Sequence, residues 1–496
     1  MSRNPKRRGS GVIVLLIILI LVMIAATGGI IWLCIDMVNT TPSQTTPTVS
    51  HVIELPVETT APAPTQTQPP ETTQPEPEPE RVIATATIST QGDLLMHKPV
   101  FETCRQSDGS YDFESIFRYV KEYTASYDYA LANLETTFGG DNYPYQGNPT
   151  FNCPDSLVDA VVDAGYDMLL TANNHCSDTT TSGIKRTLEQ VRGAGLETLG
   201  TQLNDEEKKY SVVDINGIRI GMLCYTYASG VTGDGRPSLN GLTPVSEVGL
   251  VNYFMENNLD KFYAEVKQHL ANMEADGAEA TIVYLHWGIE YQMQENSTQR
   301  TIAQKLCDLG VDVIVGGHPH VVEPVDLLES TVDPDHKTVI IYSLGNAVSN
   351  QRTGISTLFP TGYTEDGALF TVTFEKYSDG SVYLAGTDVL PTWVNMSTVN
   401  GTKEYNILPL DIDREEEWQT LYNLTDALLN SAKKSYERTM GIVGDGLTEC
   451  QSYLEQAKAD REAYYYDLAY YPEKYAAPET EAVTEPIAAE TMDAAA

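Results

Sequence analysis

Patterns typical of β-strands and of α-helices alternate along most of this chain, and few folds are compatible with that order. Apolar runs such as "ATIVYLHWG" and "VDVIVGGHPHV" have the length and composition of buried strands. Amphipathic runs such as "TLEQVRGAG" lie between the strand patterns. Because strands separated by helical crossovers pair in parallel, the sequence predicts an α/β fold. One segment differs: "LFTVTFEKYSDGSVYLAGTDVLP" has two strand patterns around "SDG" and predicts a β-hairpin.

The charge of the chain excludes one class of partner. Its 496 residues carry a formal net charge of −38 at pH 7, and 42% of them are hydrophobic, which is enough for a sizeable core. A polyanion of this strength repels the phosphate backbone of DNA and RNA, and no local basic patch offsets the repulsion. We therefore expect no nucleic-acid partner.

The N-terminus predicts a membrane anchor. Residues 1–10 are basic, and residues 11–35 form an uncharged apolar run long enough to span a bilayer. The basic flank predicts a single-pass protein in the cell membrane, with its N-terminus inside and its main domain extracellular. Residues 36–80 are rich in Pro, Thr and Glu and predict a disordered stalk. The alternative is a cleaved secretory signal, since "AAT" imitates a cleavage site.

The rest of the chain divides by pattern into three parts. The alternating strands and helices predict one domain over residues 81–410. Residues 411–471 have an amphipathic, Tyr-rich helical pattern and predict a helical extension that packs outside the main domain. Residues 472–496 predict an acidic disordered tail.

Polar side chains gather where the predicted strands end and their loops begin. In open α/β sheets, ligands bind outside the carboxyl ends of the strands, so these side chains are expected to converge on one site. Each motif alone is more often a turn or a helix cap, but five of them together favour a functional site. The residues are Asp93 and His97 in "QGDLLMH", Glu135 in "NLE", Asn174 and His175 in "ANNHCSD", His286 and Glu290 in "LHWGIEY", and His318 and His320 in "GGHPHV".

The chemistry of these side chains favours metal binding. All of them offer oxygen or imidazole nitrogen and none offers a thiolate, which suits Mn, Fe, Zn or Mg. The set is larger than one metal ion requires, so the sequence predicts two divalent ions. A two-metal site needs a bridging carboxylate, and Glu135 is the candidate.

Six motifs follow one another along the chain: "GD", "NLE", "NNH", "HWG", "GGHPHV" and "YSLGN". Together they resemble the capsule-synthesis protein CapA family, named for poly-γ-glutamate capsule assembly. That family is similar to the calcineurin-like metallophosphoesterases. The motifs lie within residues 84–350, and the resemblance implies a four-layer α/β/β/α sandwich with a dinuclear metal site. Three features depart from the phosphoesterase pattern: the histidine of the first motif comes four residues after Asp93, Asn173 replaces a glycine, and Glu135 replaces an aspartate.

The resemblance also assigns roles to the site residues. It implies two metal sites that share Glu135. One would use Asp93, Glu135 and His320, and the other Glu135, Asn174, His286 and His318. His175 would face the substrate as an acid or electrophile, and Asp178 would orient it. His97, Glu290, Tyr291, Ser343 and Asn346 would support the ligands or form the wall of the substrate site.

The predicted metal site and the predicted membrane anchor support two alternative functions. The first is a membrane-anchored, metal-dependent hydrolase that acts on a phosphoester or an anionic cell-envelope polymer. The alternative is a non-catalytic accessory subunit that holds an anionic polymer through its metal ions for a membrane synthase or export complex. Dependence on His175 distinguishes them, because only an enzyme needs a residue for proton transfer.

Overall fold

The computed structural model describes residues 78–232, 237–240, 243–244, 248–399 and 401–475. The predicted cytoplasmic segment and membrane anchor lie outside these residues, as do residues 36–77 of the predicted stalk and residues 476–496 of the predicted tail. Among the helices that the structure describes, none combines the length and the apolar character needed to cross a bilayer.

The strands are numbered along the chain. They are β1 (Val82–Leu94), β2 (Tyr129–Asn133), β3 (Met168–Leu170), β4 (Glu197–Leu199), β5 (Tyr210–Ile215), β6 (Ile218–Tyr227), β7 (Gly230–Val231), β8 (Pro237–Leu239), β9 (Thr243–Pro244), β10 (Tyr253–Phe254), β11 (Ala280–His286), β12 (Val313–Gly317), β13 (Val325–Glu329), β14 (Lys337–Ile341), β15 (Asn346–Val348), β16 (Asp366–Tyr377), β17 (Val382–Val399) and β18 (Thr402–Pro409).

The α-helices are numbered in the same way. They are α1 (Lys98–Thr103), α2 (Glu114–Phe117), α3 (Lys121–Thr124), α4 (Leu157–Asp163), α5 (Thr180–Gly193), α6 (Leu259–Ala275), α7 (Ser297–Cys307), α8 (Trp418–Leu421) and α9 (Asp426–Tyr470). Helix α7 begins with a capping box: the Asn296 side chain accepts from the backbone of Gln299, whose own side chain accepts from the backbone N–H of Asn296.

Two large sheets form the centre of the described residues. The first has the order β18-β17-β16-β1-β2-β3-β4, with β15 beside β1, and the second has the order β10-β6-β11-β12-β14-β13, with β5 beside β6. Strands β1 to β4 are parallel, as are β6, β11, β12 and β14. Strands β16 and β17 pair antiparallel on either side of "SDG". The predicted parallel α/β pairing and the predicted hairpin are therefore confirmed.

The side chains of each sheet alternate between two buried layers. In β11, Ile282 and Tyr284 join the cluster between the sheets, whereas Val283 and Leu285 join the cluster under α6 and α7. The first sheet behaves likewise, and its outer face packs against α1, α2 and α4. Because successive strand residues point to opposite faces, two sheets covered by helices need this double burial. The arrangement is a mixed α/β sandwich and fits the expected α/β/β/α layers.

The C-terminal helix is part of this sandwich. Val443, Leu447, Cys450 and Leu454 of α9 belong to the same buried cluster as the strands between the sheets. The helix predicted within residues 411–471 is present as α9, and the structure adds that one of its faces packs against the sheets. An amphipathic pattern shows that a helix buries one face, but it does not identify what covers that face.

One glycine brings the first site residue into position. Gly92 in β1 lies against the carbonyl oxygen of Gly345, and a Cβ atom at this position would clash with that oxygen. The next residue, Asp93, donates its backbone N–H to the same carbonyl at 3.0 Å. Glycine is therefore required for the close approach that places Asp93 at the end of the sheet.

Candidate metal centre

The carboxyl ends of five parallel strands bring the predicted ligands together. Strands β1, β2 and β3 of the first sheet and β11 and β12 of the second end at the same edge of the sandwich. Asp93 lies near the end of β1, Glu135 follows β2, Asn174 follows β3, His286 ends β11, and His318 and His320 follow β12. All six are buried. The predicted convergence at the strand ends is what the structure shows.

Two groups of side chains could each hold a metal ion. They are Glu135 with His286 and His318, and Asp93 with Glu135 and His320. Within each group the ligand atoms lie within 4.8 Å of one another. Glu135 belongs to both groups. The two groups coincide with the two ligand sets that the family resemblance implied, apart from Asn174.

Asn174 reaches the first group through its amide. Its Oδ1 lies 2.7 Å from His286 Nε2, and that nitrogen lies 3.5 Å from Glu135 Oε1. In the second group, His320 Nδ1 lies 3.0 Å from Asp93 Oδ2 and 3.9 Å from Glu135 Oε2. Ligand atoms that share one cation at about 2.1 Å are separated by distances of this size.

The unsatisfied polar atoms test whether a metal ion fits. Neither carboxylate oxygen of Glu135 has a hydrogen-bond partner, although the residue is fully buried. His318 Nδ1 is also without one. Buried polar groups are almost always paired, so three such atoms at one place need another partner. Divalent cations bound by oxygen and imidazole nitrogen supply that partner, and the residues present fit them.

The ionisation of the site agrees with this fit. Burial raises the pKa of Glu135 well above its usual range, and the adjacent carboxylate of Asp93 adds to the shift. Burial lowers the pKa of His286 to about 3 and lowers that of His318 well below its usual value. A neutral imidazole is the form that binds a metal ion. A cation bound beside Glu135 would oppose the shift of its carboxyl pKa.

The backbone of "GGHPHV" explains how two histidines so close in sequence serve two groups. His318 has a φ of +100° and His320 has a φ of +58°. Such values are uncommon for residues other than glycine and carry a conformational cost, and they are found most often at functional sites. Pro319 accepts the backbone N–H of Tyr291 at 2.8 Å, which holds the turn. The imidazole of His318 is thereby directed to one group and that of His320 to the other.

His175 and Asp178 form a pair beside the ligand groups. His175 Nδ1 lies 2.7 Å from Asp178 Oδ2, which also accepts the backbone N–H of Phe151 at 2.6 Å. The Phe151 ring meets the imidazole edge-to-face at 4.6 Å. Asn240 Nδ2 lies 3.4 Å from the same Nδ1. Because the partners of the imidazole gather at Nδ1, Nε2 is the nitrogen left for a substrate.

The other predicted residues surround the two groups. Asn346 donates to the backbone oxygen of His320 at 3.2 Å, and the ring of Tyr291 lies 6.2 Å from that of His320. His97 is in neither group; its Nδ1 accepts the backbone N–H of Asn350. Ser343 is buried, and its hydroxyl accepts the backbone N–H of Gly345, whereas Glu290 is exposed.

Two asparagines were not assigned a role from the sequence. Asn133 donates to Asp93 Oδ1 at 2.8 Å, and Asn173 donates to Asn133 Oδ1 at 3.2 Å. Asn173 Oδ1 also accepts the backbone N–H of His175. Such bonds orient metal ligands and their neighbours. Asn133 is opposite Asp93 in the parallel β1–β2 pair, so the strand register was the signal that could have revealed it.

Comparison with known proteins decides the family. The family model for the bacterial capsule synthesis protein PGA_cap matches residues 87–351, which include every predicted metal ligand and the His175–Asp178 pair. The chain belongs to this family. The predicted CapA-type resemblance is thereby confirmed.

Two curated relatives agree with this assignment. The PGA biosynthesis protein CapA of Bacillus subtilis (strain 168) is 30% identical over 264 residues, which cover 52% of this chain and 62% of the relative. The capsule biosynthesis protein CapA of Bacillus anthracis is 29% identical over 273 residues, which cover 53% and 60%. The chain therefore spans about three fifths of the length of the curated relatives it matches.

Two solved structures are distantly similar. A sulfate thiohydrolase SoxB from Termus thermophilus aligns with a TM-score of 0.31 at 16% identity, covering 63% of this chain and 42% of that one. The purple acid phosphatase PPD1 of yellow lupin aligns with a TM-score of 0.28 at 12% identity, covering 63% and 55%. We draw no functional conclusion from alignments with scores this low.

Proposed function

We propose that this protein is a dinuclear metal-dependent hydrolase of phosphoesters that acts in the synthesis of a capsule or another cell-envelope polymer. One observation carries the proposal: two buried ligand groups meet at Glu135, both of whose oxygens are without a hydrogen-bond partner. A carboxylate in this position can bridge two cations.

Each of the two ligand groups would hold one metal ion, and His175 would transfer a proton. The group of Asp93, Glu135 and His320 would hold one divalent ion, and the group of Glu135, His286 and His318, with Asn174, would hold the other. Divalent ions at such a centre neutralise charge on phosphate oxygens and supply a nucleophile at neutral pH. His175, fixed by Asp178, would exchange a proton with the leaving oxygen through Nε2.

A second function is supported by a different observation. The relatives' names, PGA biosynthesis protein and capsule biosynthesis protein, describe assembly and not hydrolysis. Under this second hypothesis, the protein is a metal-containing accessory subunit that holds an anionic polymer for a membrane synthase or export complex. The His175–Asp178 pair favours the hydrolase, because a binder needs no group poised for proton transfer.

Metal analysis with a substrate screen tests the proposal. We expect purified protein, loaded with Mn, Fe, Zn or Mg, to bind two ions per chain and to hydrolyse phosphodiesters or phosphomonoesters. Chelation should abolish turnover, and restoring the ion should return it. Two bound ions with no turnover on any phosphoester would favour the accessory subunit, and an absence of bound metal would contradict both functions.

The cell membrane is the proposed location, with residues 11–35 as the anchor and the main domain outside. This proposal rests on the uncharged apolar run and its basic flank. Protease added to intact cells should therefore degrade the domain over residues 81–475, and a cytoplasmic protein in the same cells should survive. A domain that becomes sensitive only after lysis would contradict the topology.

A further inference from the structure

Four large apolar side chains are exposed on two loops next to the metal centre. Ile289 and Met293 lie on the loop after β11, and Ile355 and Leu358 lie on the loop between β15 and β16. Ile289, Ile355 and Leu358 are 50%, 53% and 67% exposed. We call these four residues the apolar collar. Exposed apolar patches on soluble domains mark binding surfaces more often than single exposed residues do.

Ring contacts connect the collar to the ligands. Tyr291 lies between the two collar residues of the first loop, and its ring is 6.2 Å from that of His320. The ring of Phe359, next to Leu358, meets the Tyr291 ring edge-to-face at 5.3 Å. Gln351 at the start of the second loop donates to the Tyr291 hydroxyl. The two loops thus contact each other through Tyr291, whose ring lies beside His320 of one ligand group.

The charges of the two loops restrict what binds there. Residues 287–296 contain no Lys or Arg, and the one basic residue of residues 349–361 is Arg352, which is buried in an ion pair with Glu365 at 2.9 Å. Glu290 adds an exposed carboxylate. An anionic polymer would find no cation on these loops to hold its repeating charges, and Glu290 would repel it.

We propose that the protein acts on the phosphate ester of a long-chain alcohol, with the phosphate at the metal centre and the hydrocarbon chain on the apolar collar. This inference rests on the proposed function and names its substrate class. A site for an anionic head that is continuous with an exposed apolar surface is complementary to an amphiphile. In the hydrolysis, a water oxygen bonds to phosphorus, the P–O bond to the alcohol breaks, and the alcohol oxygen takes a proton, which releases alcohol and phosphate.

Alkylphosphonates test the binding without hydrolysis, because their P–C bond does not break in this reaction. The metal-loaded protein should bind octylphosphonate at least tenfold more tightly than ethylphosphonate in calorimetry, since each buried methylene group contributes to binding. The double variant Ile355→Ser/Leu358→Ser should bring the two affinities within about threefold of each other and leave ethylphosphonate binding unchanged. The same preference for longer chains should appear in the KM values of octyl and ethyl phosphate.

Val332→Ser is the matched control. Val332 is 69% exposed, as Leu358 is 67%, but it lies in the turn between β13 and β14. This variant should keep the full preference for the longer chain. The inference would be overturned if the collar variant preferred octylphosphonate over ethylphosphonate as strongly as the wild-type protein does, or if the wild-type protein showed no preference. Either result would leave the hydrolase proposal intact. The collar could instead mediate self-association only. A wild-type dimer that the double variant loses, with no change in the preference for the longer chain, would show this and would also overturn the inference.

The failure of the proposed function gives a different result. A protein that hydrolyses no phosphoester but binds octylphosphonate in a collar-dependent way would contradict the hydrolase. The assignment of the collar to a long-chain phosphate would then stand as a binding property.

Discussion

The variant Glu135→Gln is expected to lose both metal ions. An amide offers one neutral oxygen where the carboxylate offers two charged ones, so neither ligand group stays complete. Loss of a group that merely orients a ligand typically weakens metal binding by about 10–100-fold. Removal of a ligand shared by both ions should exceed that range, and we expect a loss of more than about 100-fold for each site.

Metal content and thermal unfolding measure this loss together. Excess metal should stabilise the wild-type protein, by about 2.7 kcal/mol for each site when the free ion is at 100 times the dissociation constant of that site, and should leave the stability of Glu135→Gln unchanged. The stability of the metal-free variant should not fall, because the wild-type carboxylate has no hydrogen bond to lose. Single-group variants, His286→Asn and Asp93→Asn, should each lose mainly one ion.

Glu323→Gln is the matched control for this substitution. Glu323 is also a fully buried carboxyl group, but it belongs to neither ligand group. Burial raises its pKa to about 8, so an amide replaces a group that is already mostly neutral at pH 7. This variant should keep both ions. Full metal occupancy in Glu135→Gln, or equal losses in both variants, would contradict the shared-ligand assignment.

The positions of the ligands could be predicted from sequence because they depend on a simple property of parallel sheets. Asp93, Glu135, His286 and His318 each come at or just after a recognisable strand. Parallel strands bring their carboxyl ends to one edge, so position along the chain was enough to place these side chains together. The division into two groups came from the family resemblance and not from the strand pattern.

The supporting residues could not be predicted in the same way. Asn133 supports Asp93 because β1 and β2 pair in the register that places the two opposite each other. A sequence pattern identifies strands but not their register across a helical crossover. The packing of Leu447 and Cys450 of α9 against the strands of the sandwich could not be predicted for a related reason, since it depends on which open side of the sandwich the helix covers.

The apolar collar could not be predicted from the sequence either. Ile289 and Leu358 are ordinary apolar residues in two separate loops, and neither loop has a sequence pattern that predicts contact with the other. The two loops meet through the contact between Tyr291 and Phe359. Exposure is a property of the folded chain, so an apolar residue in a loop gives no sign of whether it is buried.

The variant His175→Asn is expected to keep both metal ions and the fold but to lower turnover by about 10²–10⁴-fold, the usual contribution of a positioned proton-transfer group. His175 is in neither ligand group, so metal binding does not require its imidazole. Asparagine can still contact Asp178, but an amide cannot exchange a proton at neutral pH. The loss should therefore appear in kcat at full metal occupancy.

The measurement is turnover of the best phosphoester from the screen, with the metal content of each sample determined in parallel. His336→Asn is the control, because it makes the same change at a histidine in the turn between β13 and β14, where Nε2 lies 3.1 Å from the Val311 carbonyl oxygen. That variant should turn over at the wild-type rate. A metal-replete His175→Asn protein with unchanged kcat would rule out proton transfer by His175. The protein would then remain a hydrolase that relies on its metal ions without a histidine proton donor, and its turnover would still contradict the accessory-subunit function.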